Sequence, residues 1–266
     1  MLGAIIGDIA GSIYEFSNYR RTDFEFMSED CTYTDDSVMT AAVAQAILDW
    51  RNGAPDLASE TVDRMREFGR ADPGRGYGGM FRRWLASPRP MGPYGSFGNG
   101  SAMRVSAAGF AAGSVEEAKL ISREVTRVTH DHPEGLKGAE ATAVLIRLAL
   151  EGKTKAELRA VAEEHYYPLD FTIDEIRPYY QFNETCQGTV PQAIEAFLES
   201  EDFESAIRLA VSVGGDSDTL AAITGGIAEA YYGIPQSLRE RAQGFLSVPI
   251  LAVLGRFEAA YSPKVI

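Results

Sequence analysis

Apolar residues recur along this chain mostly three and four positions apart, the period of a helix with one buried face. Residues 36–50 put Val38, Ala42, Val43, Ala46, Ile47 and Trp50 on one stripe. Residues 138–151 do the same with Ala141, Val144, Leu145, Leu148 and Ala149. The spacing predicts further helices over 56–69, 115–127, 154–165, 191–199, 203–213, 218–232 and 236–246. Alternating, strand-like runs are scarce and no βαβ rhythm emerges, so the pattern predicts an all-α bundle in one domain over residues 1–266.

Three predicted helical stretches, 3–14, 102–113 and 218–230, are rich in Gly and Ala. A glycine inside a helix costs about 1 kcal/mol relative to alanine. Gly225 and Gly226 in mid-helix therefore predict close backbone approach between crossed helices around a central site. Loops dense in Gly and Pro are expected at 70–80 and 86–101, and a longer Tyr-bearing connection at 166–190.

At 266 residues and 45% apolar content the chain can bury one large core. With 25 Lys and Arg against 38 Asp and Glu, its net charge of −13 repels a nucleic-acid backbone, which argues against non-specific binding. A phosphate-bearing small ligand stays possible where backbone N–H groups, helix N-termini or metal ions receive it. Cys31 and Cys186 form no CxxC pattern and fit a reduced, cytoplasmic setting. The first residues lack the basic and apolar regions of a signal peptide, and no run of 18 apolar residues predicts a membrane span. A monomer is expected, since no long apolar stripe is left over.

Two acidic clusters stand far apart in this pattern, each at the entrance of a small-residue helix: Thr34-Asp35-Asp36 and Asp216-Ser217-Asp218-Thr219. Either one alone reads most simply as a helix cap with carboxylates in the first turn. A cap needs one oxygen, however, and each cluster supplies three. If folding joins them, the carboxylates repel one another unless divalent cations sit between. Four Asp and two Thr oxygens suit two magnesium ions better than one caged ion. No Cys or His stands in the clusters to favour zinc or a redox metal.

Several segments, in order, resemble the ADP-ribosylglycohydrolases. Gly7-Asp8-Ile9-Ala10-Gly11-Ser12-Ile13-Tyr14-Glu15 is similar to the family's opening helix. Tyr33-Thr34-Asp35-Asp36 and Gly214-Gly215-Asp216-Ser217-Asp218-Thr219 resemble its two metal motifs. Arg75-Gly76-Tyr77-Gly78 and the run from Gly95 to Arg104 resemble its substrate loops. The resemblance implies an all-α, compact single-domain orthogonal helical bundle with a central binuclear metal site. Two Mg²⁺ ions would be held by Thr34, Asp35, Asp36, Asp216, Asp218 and Thr219. The implied reaction is hydrolysis of the bond between ADP-ribose C1″ and an acceptor, with Glu15 in the proton-moving role and Asp35 sharing it. Such a cleavage builds positive charge on the ribose while the leaving atom takes a proton.

Gly95, Gly98 and Gly100 surround Ser96 and Asn99, a spacing that serves equally a diphosphate cradle of N–H groups or a tight turn before a helix. The resemblance favours ligand contact there, with Phe97 against the adenosine moiety and Gly76 as a second close approach. It also places His130 at the distal ribose or phosphate, and leaves His132 without a role and Cys186 in a positional one. Among acceptors, the opening segment and the glycine loop resemble the branch that cleaves O-linked ADP-ribose (serine, polymer or acetyl forms), with ADP-ribosyl-arginine as the alternative. Rival readings are a two-metal phosphoester hydrolase, disfavoured because no Lys or Arg adjoins the acidic motifs, and a non-catalytic ADP-ribose binder.

Overall fold

Three glycines at four-residue spacing decide how the first helix packs. Helix α1 (Leu2–Gly11) lies against Ser217–Tyr232 with no room for a side chain between the backbones. A Cβ on Gly7 would sit 2.0 Å from the Ala221 carbonyl oxygen, one on Gly3 2.2 Å from that of Gly225, and one on Gly11 2.5 Å from the Asp218 Cα. On the other side, a Cβ on Gly225 would meet the Gly3 carbonyl at 2.1 Å. The expected close approach at Gly225 is therefore present, and α1 is its partner. Every residue of α1 is buried.

This computed structural model describes residues 1–261, which form fifteen helices and no sheet. The predicted helices fall at α2 (Asp35–Arg51), α3 (Leu57–Ala71), α7 (Val115–Thr126), α8 (Pro133–Leu150), α9 (Lys155–His165), α11 (Cys186–Glu199), α12 (Phe203–Ser212), α13 (Ser217–Tyr232) and α14 (Gln236–Gln243). Their starts are written in capping residues: Thr34, Asp56, Ser114, Thr154, Thr185 and Asp202 each accept a backbone N–H of the first turn. Helix α13 is the central element, packing on α1, α12, α11 and α8. One continuous hydrophobic cluster runs from Leu2 to Phe257.

Several boundaries differ from the expected ones. The first helix ends at Gly11 instead of residue 14, and residues 12–18 turn back over the N-terminus of α13. The stretch 102–113 is not one helix but two, α5 (Gly100–Met103) and α6 (Ser106–Ala111). The break falls at Arg104 and Val105, whose ψ angles near zero lie at the edge of the helical region. Helix α11 begins five residues before Pro191, because Thr185 caps a turn that the proline alone does not announce. Helices α4 (Gly79–Ala86), α10 (Ile173–Ile176) and α15 (Val248–Tyr261) were not anticipated. Glycines mask the start of α4, although Phe81, Trp84 and Leu85 are buried at helical spacing. α15 packs on α2 through the regular set Ile250, Val253, Leu254 and Phe257. No helix of the described residues is long and apolar enough to cross a membrane.

Candidate active site

The N-termini of α2 and α13 converge, and they bring the two acidic clusters onto the floor of one cavity of about 710 Å³. Thr219 Oγ1 donates to Asp36 Oδ2 at 3.4 Å and so joins clusters 183 residues apart. Both helix N-termini direct their partial positive charge at this floor. Thr34 is a helix cap that also faces the cavity. Its hydroxyl accepts from the Asp36 N–H at 3.2 Å as a cap, and it lines the cavity.

Behind the floor stands Asp8, a residue without an assigned role in the sequence. It is fully buried on α1 and is gripped by four donors. Thr34 N–H and Oγ1 reach it at 3.0 and 2.7 Å, Ser37 N–H at 3.0 Å, and the Ser37 hydroxyl also donates to it. Asp8 thus fixes the Thr34–Ser37 turn from below. The Gly-Asp pairing in α1 was its sequence signal: Gly7 admits α13, and the adjacent Asp8 then faces the turn.

On the opposite side, Gly214 and Gly215 adopt positive φ (84° and 67°) and swing the chain into α13. The Gly215 N–H donates to Asn18 Oδ1 at 3.1 Å, tying the 12–18 segment to this turn. Glu15 on that segment offers an oxygen within 4.8 Å of oxygens from Asp216 and Asp218. Glu15 is therefore placed among potential ligands, at the edge of the cavity that it lines.

The electrostatics are severe. Burial is the first cause that raises the carboxyls of Asp8, Asp35, Asp36, Asp216 and Asp218, and neighbouring carboxylates add to it for most of them. Asp35 is pushed up to about 8. Glu15, half-buried, is pushed up to about 7 by burial and by Asp216, Asp8 and Glu184. Arg75 pairs with Asp72 at 2.9 Å and stacks over the Tyr33 ring, so it does not neutralise the cluster. Asp36 Oδ1 is buried without any hydrogen-bond partner. An orphaned carboxylate oxygen amid uncompensated carboxylates, with only oxygen donors around it, fits hard divalent cations.

The expected ligand-binding residues divide. Gly76 has φ +101°, and a Cβ there would stand 3.2 Å from Asp35 Oδ1, so this glycine makes room for the Asp35 carboxylate. The Arg75 carbonyl accepts from the Asp35 N–H at 2.8 Å. The glycine loop spends several N–H groups internally: Gly95 on Asp131 (2.7 Å), Gly98 on Ser96 Oγ (3.2 Å), and Asn99 on the Glu184 carbonyl (2.8 Å). The cradle of consecutive free N–H groups is accordingly narrower than its spacing suggests. Asn99 lines the cavity, yet its side-chain amide holds Asp216 Oδ2 at 2.6 Å. Ser96, Phe97, Gly98 and His130 line the cavity; Gly95 is not among the lining residues. Phe97 is partly exposed with its ring 5.1 Å from that of His132. His132 caps α8 by accepting from Glu134 N–H at 3.1 Å. Cys186 is buried against Ser101 and the Gly98 carbonyl, and its thiol is pushed up to about 12, chiefly by burial, which makes it a packing residue.

Basic residues are missing beside the acidic motifs only along the chain. Arg75, Arg83 and Arg104 all line the same cavity, brought there from other segments. The charge contrast between an acidic floor and an arginine-bearing wall was invisible in the local motifs.

An all-α frame that gathers buried carboxylates on the floor of a nucleotide-sized cavity fits a metal-dependent hydrolase. The profile of the ADP-ribosylglycohydrolase family matches residues 1–261, and the chain belongs to that family. It is similar to the "ADP-ribosylhydrolase ARH3" of Bos taurus, 29% identical with 95% of this chain and 90% of that protein covered. The Homo sapiens protein of the same name is 28% identical over 95% and 90%. An "ADP-ribosylarginine hydrolase Tri1" of Pseudomonas putida is 28% identical over 88% of this chain and 70% of its own. Among solved structures, an "ADP-ribosylglycohydrolase-related protein complex" superposes with a TM-score of 0.69 at 25% identity, covering 98% and 97% of the two chains.

Proposed function

We propose that this chain removes ADP-ribose from O-linked acceptors by magnesium-dependent hydrolysis at C1″. The observation that carries the reading is the convergence of the two acidic clusters, with Asp36 Oδ1 left unpartnered where Thr219 closes the contact. Thr34, Asp35, Asp36, Asp216, Asp218 and Thr219 would hold two Mg²⁺ ions, and Glu15 lies close enough to Asp216 and Asp218 to share one. Bound there, the metal would orient the ribose hydroxyls and polarise an attacking water. Six carboxylates (the five aspartates and Glu15) and two divalent ions leave about −2 in the site, with Asp8 satisfied by its four donors.

Glu15 is the carboxylate of the set that stands on the half-buried 12–18 segment, at the mouth of the acidic floor, where it can pass a proton between the leaving atom and water. The segment carrying it is only half-buried, so it can accommodate substrates of different shape. The preference for O-linked substrates rests on the opening segment, on the glycine loop, and on the greater extent of likeness to the ARH3 proteins than to the arginine hydrolase. Residues 1–266 act as one catalytic domain in this reading, as a monomer in the cytoplasm.

Purified protein with Mg²⁺, offered serine-, arginine- and acetyl-linked ADP-ribose, should release free ADP-ribose from the serine or acetyl forms. Release from arginine alone would move the assignment to the alternative. No release from any of them, with ADP-ribose still bound, would favour the non-catalytic binder.

A further inference from the structure

Arg104 is the most deeply buried arginine of the described chain, at 1% exposure, and it has no carboxylate partner within ion-pair distance. Its Nε makes no hydrogen bond, and the Phe81 ring lies 5.9 Å from its guanidinium. Such a charge is costly to bury, and Arg104 stands at the break between α5 and α6. We propose that Arg104 is a positioning residue: through Thr129 it holds His130 in the tautomer that presents an Nε2–H donor to a phosphate oxygen in the cavity. The phosphate belongs to the ADP-ribosyl substrate, so this inference rests on the function proposed above.

The hydrogen-bond directions follow from the donor inventory. A guanidinium has donors only. Arg104 Nη2 donates to Thr129 Oγ1 at 2.7 Å and lies 3.5 Å from His130 Nδ1. Thr129 Oγ1 is 2.8 Å from the same Nδ1. With Nδ1 as the acceptor the Thr129 hydroxyl turns toward it and no ring proton competes with the arginine donor 3.5 Å away, and this is the arrangement we assign. Burial first, and then the charge of Arg104, hold His130 well below its ordinary range, which leaves a neutral ring with one proton. That proton is on Nε2.

Nε2 lies at the glycine loop. A Cβ built on either Gly98 or Gly100 would stand 3.6 Å from it, so only hydrogens cover it on that side. His130, Gly98, Gly100 and Arg104 all line the cavity. Thr129 is fully buried and does not, which makes it a relay that touches no ligand. The uncompensated Arg104 charge strengthens the field for an anion at the same place. Thus three side chains, each explicable alone as packing, act together to fix one donor.

The test is the ¹⁵N–¹H correlation spectrum of the His130 ring, read beside ADP-ribose affinity in Mg²⁺ by calorimetry. The wild-type ring should show a protonated Nε2 and a bare Nδ1. Thr129→Val, which keeps Arg104 and the cavity lining, should mix the tautomers and weaken ADP-ribose binding about tenfold. Thr129→Ser should restore both readouts, which a role in packing alone does not require. A wild-type ring protonated at Nδ1 overturns the inference without any variant. So does a folded Thr129→Val protein with an unchanged ring spectrum and unchanged affinity. If the wild type binds no ADP-ribose, the proposed function fails, and the ring spectrum still decides the relay.

Discussion

Replacing Gly7 by alanine adds one methyl group, and the structure says what it must meet. The new Cβ would lie 2.0 Å from the Ala221 carbonyl oxygen and 2.3 Å from its carbon, both backbone atoms that cannot rotate away. Restoring contact to ordinary van der Waals range forces α1 and α13 apart by more than about 1 Å. Overpacking a dense core costs about 1–3 kcal/mol, and a backbone-on-backbone clash belongs at or beyond the upper end. For a chain of this length, about 3 kcal/mol lowers Tm by roughly 6–12 °C. The functional loss should exceed the stability loss, because α1 carries Asp8 and α13 carries Asp218 and Thr219, with Asp216 at its N-cap. A shift of about 1 Å in such a site costs on the order of 100-fold in rate. The assay is thermal unfolding with and without Mg²⁺, alongside ADP-ribose release. A variant with native Tm and native turnover would refute the claim that the glycine seam sets the spacing of the acidic floor.

Other consequences follow from the same geometry. Excess EDTA should lower Tm, because the carboxylates raised by mutual burial lose their counter-ions; an unchanged Tm would remove metal from the account. Glu15→Ala should keep ADP-ribose binding while turnover drops about 10²–10⁴-fold, and full turnover would take Glu15 out of the mechanism. Asp8→Asn sets an amide donor against the N–H groups of Thr34 and Ser37, so Mg²⁺ affinity by titration calorimetry should fall about 10–100-fold although Asp8 need not touch the metal. His130 has a folded pKa depressed below 6.5, so the unfolded chain binds its proton first as pH falls. Its contribution to stability is present above that value and is lost as pH drops through it. Urea midpoints of His130→Gln should therefore show a shallower decline below pH 6.5 than the wild type, and parallel curves would contradict the burial of a neutral ring.

Much of this protein is readable from its residues in order. Helical periodicity located α2, α3, α7, α8, α9, α12 and α13, because a buried stripe and a cap are local facts of three or four turns. Thr34, Asp35, Asp36, Asp216, Asp218 and Thr219 announced themselves by exceeding what a cap requires, and the ordered motifs pointed to the family that the whole chain matches. Folding alone decided which groups meet. Asp8 supports the Thr34 turn because three glycines let α1 press on α13, and that seam is a distance between elements some 210 residues apart. Asn99 turns to Asp216, Glu15 swings toward Asp216 and Asp218, and Arg104 reaches Thr129 and His130 across the cavity wall. Local pattern carries no information about such separations. They come from how closely the helices pack, and at this floor a difference of one ångström separates a set of repelling carboxylates from a metal site.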